Sequence, residues 1–404
     1  MTQLPTPSPG RDAVVGWVAD HLGDLVAGEV TASPIRGGQS AADRALQGFD
    51  VRGYARDRNE VWPPDRRGAS GLSPYIRHGL LTLRRVWDAV GGGPGTDVAK
   101  FRDELLWQEY ARHLYARVGA SSRRSLRYAV TERTPVTWAD PGGARCLTGA
   151  WDELRATGWL PNQSRMWVAS DWTVRHGLGW RDGEDEFFRH LLDGSRAANR
   201  LGWQWTTGAL TGRPYVFTRS QVRRRAPGLC EACPVSGACP VADAPPVVPP
   251  FPGEAPPALR QDLDRETTCG PVTPRTTGSP DVVWLTAESL GDDDPAARAY
   301  PDLPLVFIFD EALLRRLRLA PIRLVFLAEA LADLSTRRRV LVHRGDPVAE
   351  LADRRLAATF TPVPGWRRYA RQLEPVVVHP WPWLVPPTSA GVQSFSAWRR
   401  TTRG

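Results

Sequence analysis

Apolar residues recur three and four positions apart through Ala13 to Val26, Ile76 to Val90, Phe101 to Val118 and Glu186 to Ala197. That spacing lays one side of a helix against a core. Short polar loops join these stretches from Arg11 to about Gly228, so the first part of the chain predicts an all-helical lobe. From about Pro234 to Ser279 the periodicity is lost. The run Ala244-Pro245-Pro246-Val247-Val248-Pro249-Pro250 cannot continue a helix, since proline fixes φ and lacks the amide donor. Beyond it, the runs Val282 to Leu285, Leu305 to Phe309, Val340 to His343, Ala357 to Phe360 and Val376 to Val378 alternate with helix- or loop-length segments, the pattern of a parallel α/β sheet. The expectation is a multidomain α and α/β chain: a helical domain over 1–229, a cysteine-containing, Pro-rich linker over 230–279 and an α/β domain over 280–404.

Composition narrows this only modestly. The 404 residues, 42% of them hydrophobic, suit two domains with sizeable cores. A formal charge of +8 favours a polyanionic partner, with RNA, DNA and acidic lipid equally compatible. Lys100 is the sole lysine, a bias that a GC-rich genome explains as well as phosphate binding does. The 17 tryptophans exceed what a core of this size usually holds, and most are expected in cores or interfaces. Met1 to Arg11 is polar and Pro-rich, and no apolar run approaches the roughly 20 residues of a membrane helix, so a cytoplasmic protein with no membrane partner is expected, as a monomer. Gly91-Gly92-Gly93-Pro94-Gly95 falls between helices and reads as a loop; no strand-linked G-x-G-x-x-G supports a dinucleotide site.

Three ordered motifs carry chemistry. Leu192-Asp193-Gly194-Ser195-Arg196-Ala197-Ala198-Asn199-Arg200-Leu201-Gly202-Trp203-Gln204-Trp205 resembles the D-G-D-x-A-x-N-x-G-x-W-Q-W run of the cryptochrome/photolyase family. Thr157-Gly158-Trp159-Leu160-Pro161-Asn162-Gln163-Ser164-Arg165-Met166 is close to that family's T-G-W-M-H-N-R-x-R-M, and Glu104-Leu105-Leu106-Trp107 to its E-L-x-W. The strand runs of the second half are similar to the family's amino-terminal photolyase domain, here following the helical domain, so the chain reads as circularly permuted. The resemblance thus implies an all-helical FAD-binding domain followed by a Rossmann-like parallel α/β photolyase-type domain.

What the resemblance implies for the site is specific. Gly68-Ala69-Ser70-Gly71-Leu72-Ser73-Pro74 resembles G-T-S-x-L-S-P, so Ser70, Leu72 and Ser73 would hold the FAD phosphates at a helix start. Tyr54 and Arg58 match an upstream Y-x-x-x-R pair. Arg165 and Asp193 would form a charge pair beside the flavin ring, and Asn199 would face flavin N5. Trp107 and Trp205 would wall a pocket for a flipped cyclobutane pyrimidine dimer in UV-damaged DNA. Glu104 would hydrogen-bond that dimer, at least partly protonated through burial beside tryptophan, and Asn162 and Met166 complete the pattern. Trp203 and Trp180 match the inner members of an electron-transfer chain whose outer partner could be Tyr128, Trp138 or Trp172. Departures are Ala69 for Thr, Ser195 for Asp, Gln163 for Arg, and Thr286-Ala287-Glu288-Ser289-Leu290 for R-R-D-L-R, which leaves any antenna chromophore unknown. Two functions remain open: light-driven dimer repair by FAD, and cryptochrome-like photoreception without repair.

Cys230, Cys233 and Cys239 form a close-set trio on a turn-rich segment, and three thiolate ligands imply a fourth. Cys146 lies where the iron–sulfur bacterial cryptochromes and photolyases carry a cysteine, so the resemblance implies a 4Fe–4S cluster. Four-cysteine zinc and unligated thiols are the alternatives. Cys269 has no evident partner.

Overall fold

The structure, a computed structural model, describes residues 2–132 and 142–402. Nine strands occur among them: β1 (Thr2–Leu4), β2 (Tyr128–Ala129), β3 (Phe251–Pro252), β4 (Arg275–Thr276), β5 (Val282–Leu285), β6 (Leu305–Asp310), β7 (Val340–Gly345), β8 (Leu356–Thr359) and β9 (Val377–His379). Strands β5 to β9 are the five runs read from the sequence, each within one or two residues. They pair in parallel, because the crossovers between them carry helices such as Glu311–Leu317 and Pro321–Ser335. The sheet order is β1-β7-β6-β5-β8-β9-β4, so it reverses direction of growth between β5 and β8. Its two edges are short antiparallel strands from elsewhere in the chain: β1 on β7 and β4 on β9. Neither edge announces itself by alternation. β2 and β3 pair only with one another, as a two-residue ladder beside the helical lobe.

The helical lobe is built around Gly95–Val118, flanked by Arg145–Thr157, Asn162–Ser170, Trp180–His190 and Ala198–Thr206. Two expected helices are shorter than their periodicity. The stretch Ile76 to Val90 divides into Ser73–Arg77 and Leu83–Ala89. Gly79 between them has φ +70°, and a Cβ there would lie 2.3 Å from the Glu288 carbonyl oxygen, so the break admits the α/β domain's loop. The stretch Glu186 to Ala197 is helical only to His190. Past it the Leu192 N–H donates to the Gly158 carbonyl (2.8 Å) and the Gly194 N–H to Leu191 (2.9 Å), pulling the chain into a loop.

Helix Pro321–Ser335 is buried almost all round because it lies between the sheet and the helical lobe. Its Glu329 carboxylate accepts from the Gly37 N–H (2.7 Å), and Asp333 accepts from Gln39 N–H (2.9 Å) and Ser40 Oγ (2.6 Å). The acids of one domain thereby satisfy the orphan amides that open helix Gln39–Gly48 in the other. One apolar core runs through both domains, from Val14 and Leu105 to Val283 and Phe326. No described helix is long and apolar enough to cross a membrane.

Candidate active site

Arg165 and Asp193 meet as the motifs imply. The guanidinium donates to both carboxylate oxygens, at 3.1 and 2.8 Å, while its Nε donates to the Leu160 carbonyl at 2.9 Å. A planar fork held at three points keeps one orientation. The Asp193 turn is fixed from both domains: the Gly194 carbonyl accepts from Arg77 Nε of the helical lobe and from Arg323 Nη2 of the α/β domain, both at 3.2 Å. Burial lowers Arg323 to about 9, still a cation at neutral pH.

Asn199 opens helix Ala198–Thr206, and its Nδ2 donates to the Glu184 carbonyl and the Glu184 carboxylate, each at 3.2 Å. Glu184, fully buried, also accepts from Arg196 Nη1 (2.6 Å) and Arg200 Nε (3.2 Å). Because both partners of Nδ2 are acceptors, the amide can point only one way, with Oδ1 away from Glu184. Ser73 Oγ accepts from Trp159 Nε1 (3.2 Å), tying the candidate phosphate loop to the T-G-W segment. Ser70 Oγ accepts one long contact from the Leu72 N–H (3.4 Å), and Leu72 is fully buried beneath it. Tyr54 is buried edge-on to Phe49 and Phe101, and burial raises its phenol well above the ordinary value.

Arg58 lies near the next group: its Nη1 donates to Glu104 at 2.9 Å, and Lys100 Nζ lies 3.0 Å from the same carboxylate. The Glu104 side chain is 30% exposed. Two cations rather than an apolar surround hold it, which differs from the expected burial beside tryptophan. The reason is helical spacing, which places Lys100 one turn before Glu104. Trp107 stacks on Phe395 with ring centroids 4.2 Å apart and planes 16° apart, so one face of this expected pocket wall is covered by the carboxy-terminal helix Phe395–Thr401. Trp205 lies against Tyr215 at 5.9 Å, and Tyr215 accepts from Gln163 Nε2 at 2.8 Å. Asn162 Nδ2 donates to Met166 Sδ one turn on, at 3.4 Å.

Trp203 and Trp180 are both fully buried. The rings edge-on against Trp203 are Phe187 at 5.1 Å and Trp172 at 6.4 Å. Trp138 lies outside the described residues, and Tyr128 sits on β2, against Gly212. Cys146, Cys230, Cys233 and Cys239 line a single small cavity with Arg219 and Val222. Burial first, then the neighbouring thiols, push the Cys146 thiol up to about 12. Among the described residues no three His, Cys, Asp or Glu side chains gather closely enough to hold one metal ion.

Sequence reasoning missed Glu184, Arg196, Arg200, Arg323 and Phe395. Glu184 and Arg323 carry no local signal, since only the fold brings them to Asn199 and Gly194. Arg196 and Arg200 lie four residues apart inside the quoted motif, and that spacing could have suggested a shared acid.

Comparison with known proteins gives concordant results. Residues 101–225 match the family model described as the FAD binding domain of DNA photolyase. The deoxyribodipyrimidine photo-lyase of a Synechococcus species is 31% identical over 192 residues, covering 44% of this chain and 40% of the relative. That of Thermus thermophilus is 34% identical over 192 residues, covering 44% of each. That of Halobacterium salinarum is 29% identical over 241 residues, covering 52% of this chain and 49% of the relative. The chain thus spans less than half the length of these curated relatives. Among solved structures, a Synechocystis cryptochrome is 22% identical with a TM-score of 0.43, covering 50% of this chain and 46% of that one. A class III photolyase from Agrobacterium tumefaciens is 24% identical with a TM-score of 0.38, covering 49% of this chain and 41% of that one.

Proposed function

We propose that this chain, a member of the cryptochrome/photolyase family through residues 101–225, repairs cyclobutane pyrimidine dimers in UV-damaged DNA by light-driven electron transfer from FAD. One observation above all supports this: Glu104 of the candidate dimer pocket and Arg58 of the candidate flavin cradle, 46 residues apart, share a hydrogen bond of 2.9 Å. The two sets of residues are therefore neighbours, as a direct transfer requires.

FAD, when bound, supplies the photon-driven electron and takes it back after the dimer is split. The residues fit such a group: Ser70 keeps its O–H for an outside acceptor, Arg165 offers a fixed positive charge, and the Asn199 amide turns its oxygen away from Glu184. Arg165 with Asp193 would orient the flavin, and Asn199, with its oxygen turned from Glu184, would offer it an acceptor without giving a proton. Trp107 and Trp205 stack the extruded bases and exclude water, which offsets the few kcal/mol of unstacking. Glu104 directs a hydrogen bond to the dimer once Arg58 or Lys100 releases it. The excess of cations draws the DNA backbone, so affinity falls with salt as counterions are released.

For Cys146, Cys230, Cys233 and Cys239, a 4Fe–4S cluster, with zinc as the alternative, is supported by the motif resemblance alone: the four line one small cavity, but no three of them gather closely enough to hold a metal ion. The order of domains, helical before α/β, is read as a circular permutation.

Phe395 on the face of Trp107 favours the second reading, a cryptochrome-like photoreceptor without repair, because it covers one wall of the pocket. The two are separated by illuminating reduced, flavin-loaded protein with dimer-containing DNA and counting restored pyrimidines. Restoration supports repair; flavin photochemistry without restoration supports the photoreceptor.

A further inference from the structure

The short ladder of β2 and β3 brings an exposed aromatic ring together with arginines that lack counter-ions. Phe251 on β3 is 57% exposed, because the residue opposite it in the ladder, Ala129, is too small to cover the ring. Val247 and Val248, just before it in the Pro-rich linker, are exposed as well. The segment is nevertheless held. The Gly253 N–H donates to the Arg127 carbonyl (2.9 Å), and a Cβ at Gly208 would lie 3.0 Å from Pro250 Cγ and 2.9 Å from the Arg213 carbonyl carbon. The Phe251 ring thus stands in water at a fixed place rather than on a free loop.

Arg123, Arg124, Arg127 and Arg213 sit on the segments so joined, and none of them makes an ion pair with a described residue. Arg127 Nη1 donates to carbonyls instead, of Leu210 (3.1 Å) and Gln393 (3.4 Å). Glu132, the next acid along the chain, lies 3.5 Å from Arg181. Guanidiniums gathered without counter-ions repel one another, and a polyanion removes that repulsion. Both walls of the candidate dimer pocket lead to this edge. Gln204, buried beside Trp205 in the chain, donates to the carbonyls of Ser122 (2.8 Å) and Arg124 (3.1 Å) and accepts from the Leu126 N–H (3.0 Å), which fixes the turn carrying Arg123 and Arg124. Gln393, which Arg127 reaches, comes two residues before the Phe395 that stacks on Trp107.

We propose that this edge holds the DNA strand flanking the extruded dimer, with Arg123, Arg124, Arg127 and Arg213 on its phosphates and Phe251 stacked on an unpaired base. This rests on the repair reading above. Guanidinium suits phosphate because its planar fork meets two oxygens at once. A phenyl ring accepts any base, since every base has a π face. Together they select a strand opened at a dimer over an intact duplex, whose paired and stacked bases offer Phe251 no free face. An acidic lipid surface would match the charges but not the ring. Because Phe251 belongs to the linker between the two domains, the linker takes part in recognition as well as in connection.

The test is binding in the dark of a labelled, dimer-containing duplex oligonucleotide to the full, flavin-loaded chain, followed by fluorescence anisotropy over a range of salt. Phe251, Arg124 and Arg213 are exposed, so their variants keep the fold. Phe251→Ala is expected to weaken binding about 5- to 150-fold, as for the loss of one base–aromatic stack, with the salt dependence unchanged. Phe251→Trp is expected to keep the affinity, and the same duplex without a dimer to respond less to Phe251→Ala. Arg124→Ala and Arg213→Ala should each flatten the slope of log K against log salt by about 0.7–0.9, the release that accompanies one phosphate contact. Arg316→Ala, on helix Glu311–Leu317 outside this edge, should leave the slope as it is. Wild-type affinity in Phe251→Ala, or equal flattening by Arg316→Ala and Arg124→Ala, overturns the edge. The repair reading fails separately: wild type that binds through these residues and restores no pyrimidine in light overturns repair and leaves the edge, whereas restoration with binding indifferent to them overturns the edge and leaves repair.

Discussion

Arg165, on helix Asn162–Ser170, grips both carboxylate oxygens of Asp193, 28 residues away in a turn that a separate sequence motif marks. The side chains are 23% and 7% exposed, so the pair is shielded enough to matter and its loss leaves a poorly solvated guanidinium. Asp193→Ala is expected to cost about 1–3 kcal/mol of stability for a hydrogen-bonded charge pair, measured by denaturant unfolding, and to lower flavin content in the purified protein. Unchanged stability together with full flavin occupancy would mean that the pair organises nothing.

Glu184 gathers Arg196, Asn199 and Arg200 onto one buried carboxylate. Removing it strands Arg200, itself buried, without its counter-ion. Glu184→Ala should therefore lose about 3–5 kcal/mol, the range for breaking a buried pair from one side. Arg196→Ala should cost less, because Arg200 keeps its partner. Equal costs for the two in denaturant titrations would contradict this hierarchy.

Much of the fold was legible because its signals are local. Strands β5 to β9 are short apolar runs, several rich in β-branched residues, and the helical lobe declares itself by spacing. The edges β1 and β4 were not, since two or three residues paired at a sheet margin owe their conformation to the neighbour. The same distinction runs through the site. Arg165, Asp193 and Asn199 sit in recognisable strings, whereas Glu184, Arg323 and Phe395 become relevant only when distant segments fold together. Glu104 shows the limit of reading a residue by its type: Lys100 one turn earlier is a local pair, but the pairing with Arg58 depends on how the Tyr54–Asp57 helix docks beside Gly95–Val118.

His78 bears on acid stability. Its Nδ1 lies 2.7 Å from the Ala287 carbonyl and its Nε2 3.1 Å from that of Leu192, linking the α/β loop to the flavin motif. Burial first, then the Arg77 charge, with Arg323 adding to it, hold its imidazole down to about 3 from the ordinary 6.5. The unfolded chain therefore binds a proton in this window that the folded chain does not. Stability is full above pH 6.5 and falls as pH drops toward 3, with a slope of about 1.4 kcal/mol per pH unit for one proton. His78→Leu should reduce the slope of unfolding free energy between pH 6 and 4 by that amount. An identical slope in the variant would show that another group carries the acid limb.

The cysteine cavity makes a separate claim on composition. Wild-type protein purified without oxygen should contain four irons and four sulfides per chain, as a 4Fe–4S cluster requires, with broad visible absorption beneath the flavin bands. Cys146→Ser and Cys233→Ser should each remove both while leaving flavin bound, because the cavity is built from different side chains than the Arg165–Asp193 site. One zinc per chain by elemental analysis, without sulfide, would replace the iron–sulfur assignment.

The most direct test of the account is the yield of restored pyrimidines per absorbed photon for fully reduced, flavin-loaded protein on a defined dimer-containing oligonucleotide under blue light. Wild type should restore the bases, and Glu104→Ala should bind flavin normally yet lower the yield, in keeping with the loss of one hydrogen bond worth roughly 1–3 kcal/mol. Wild-type protein that binds the damaged strand, absorbs the light and restores no pyrimidine would contradict repair and leave photoreception as the function of this fold.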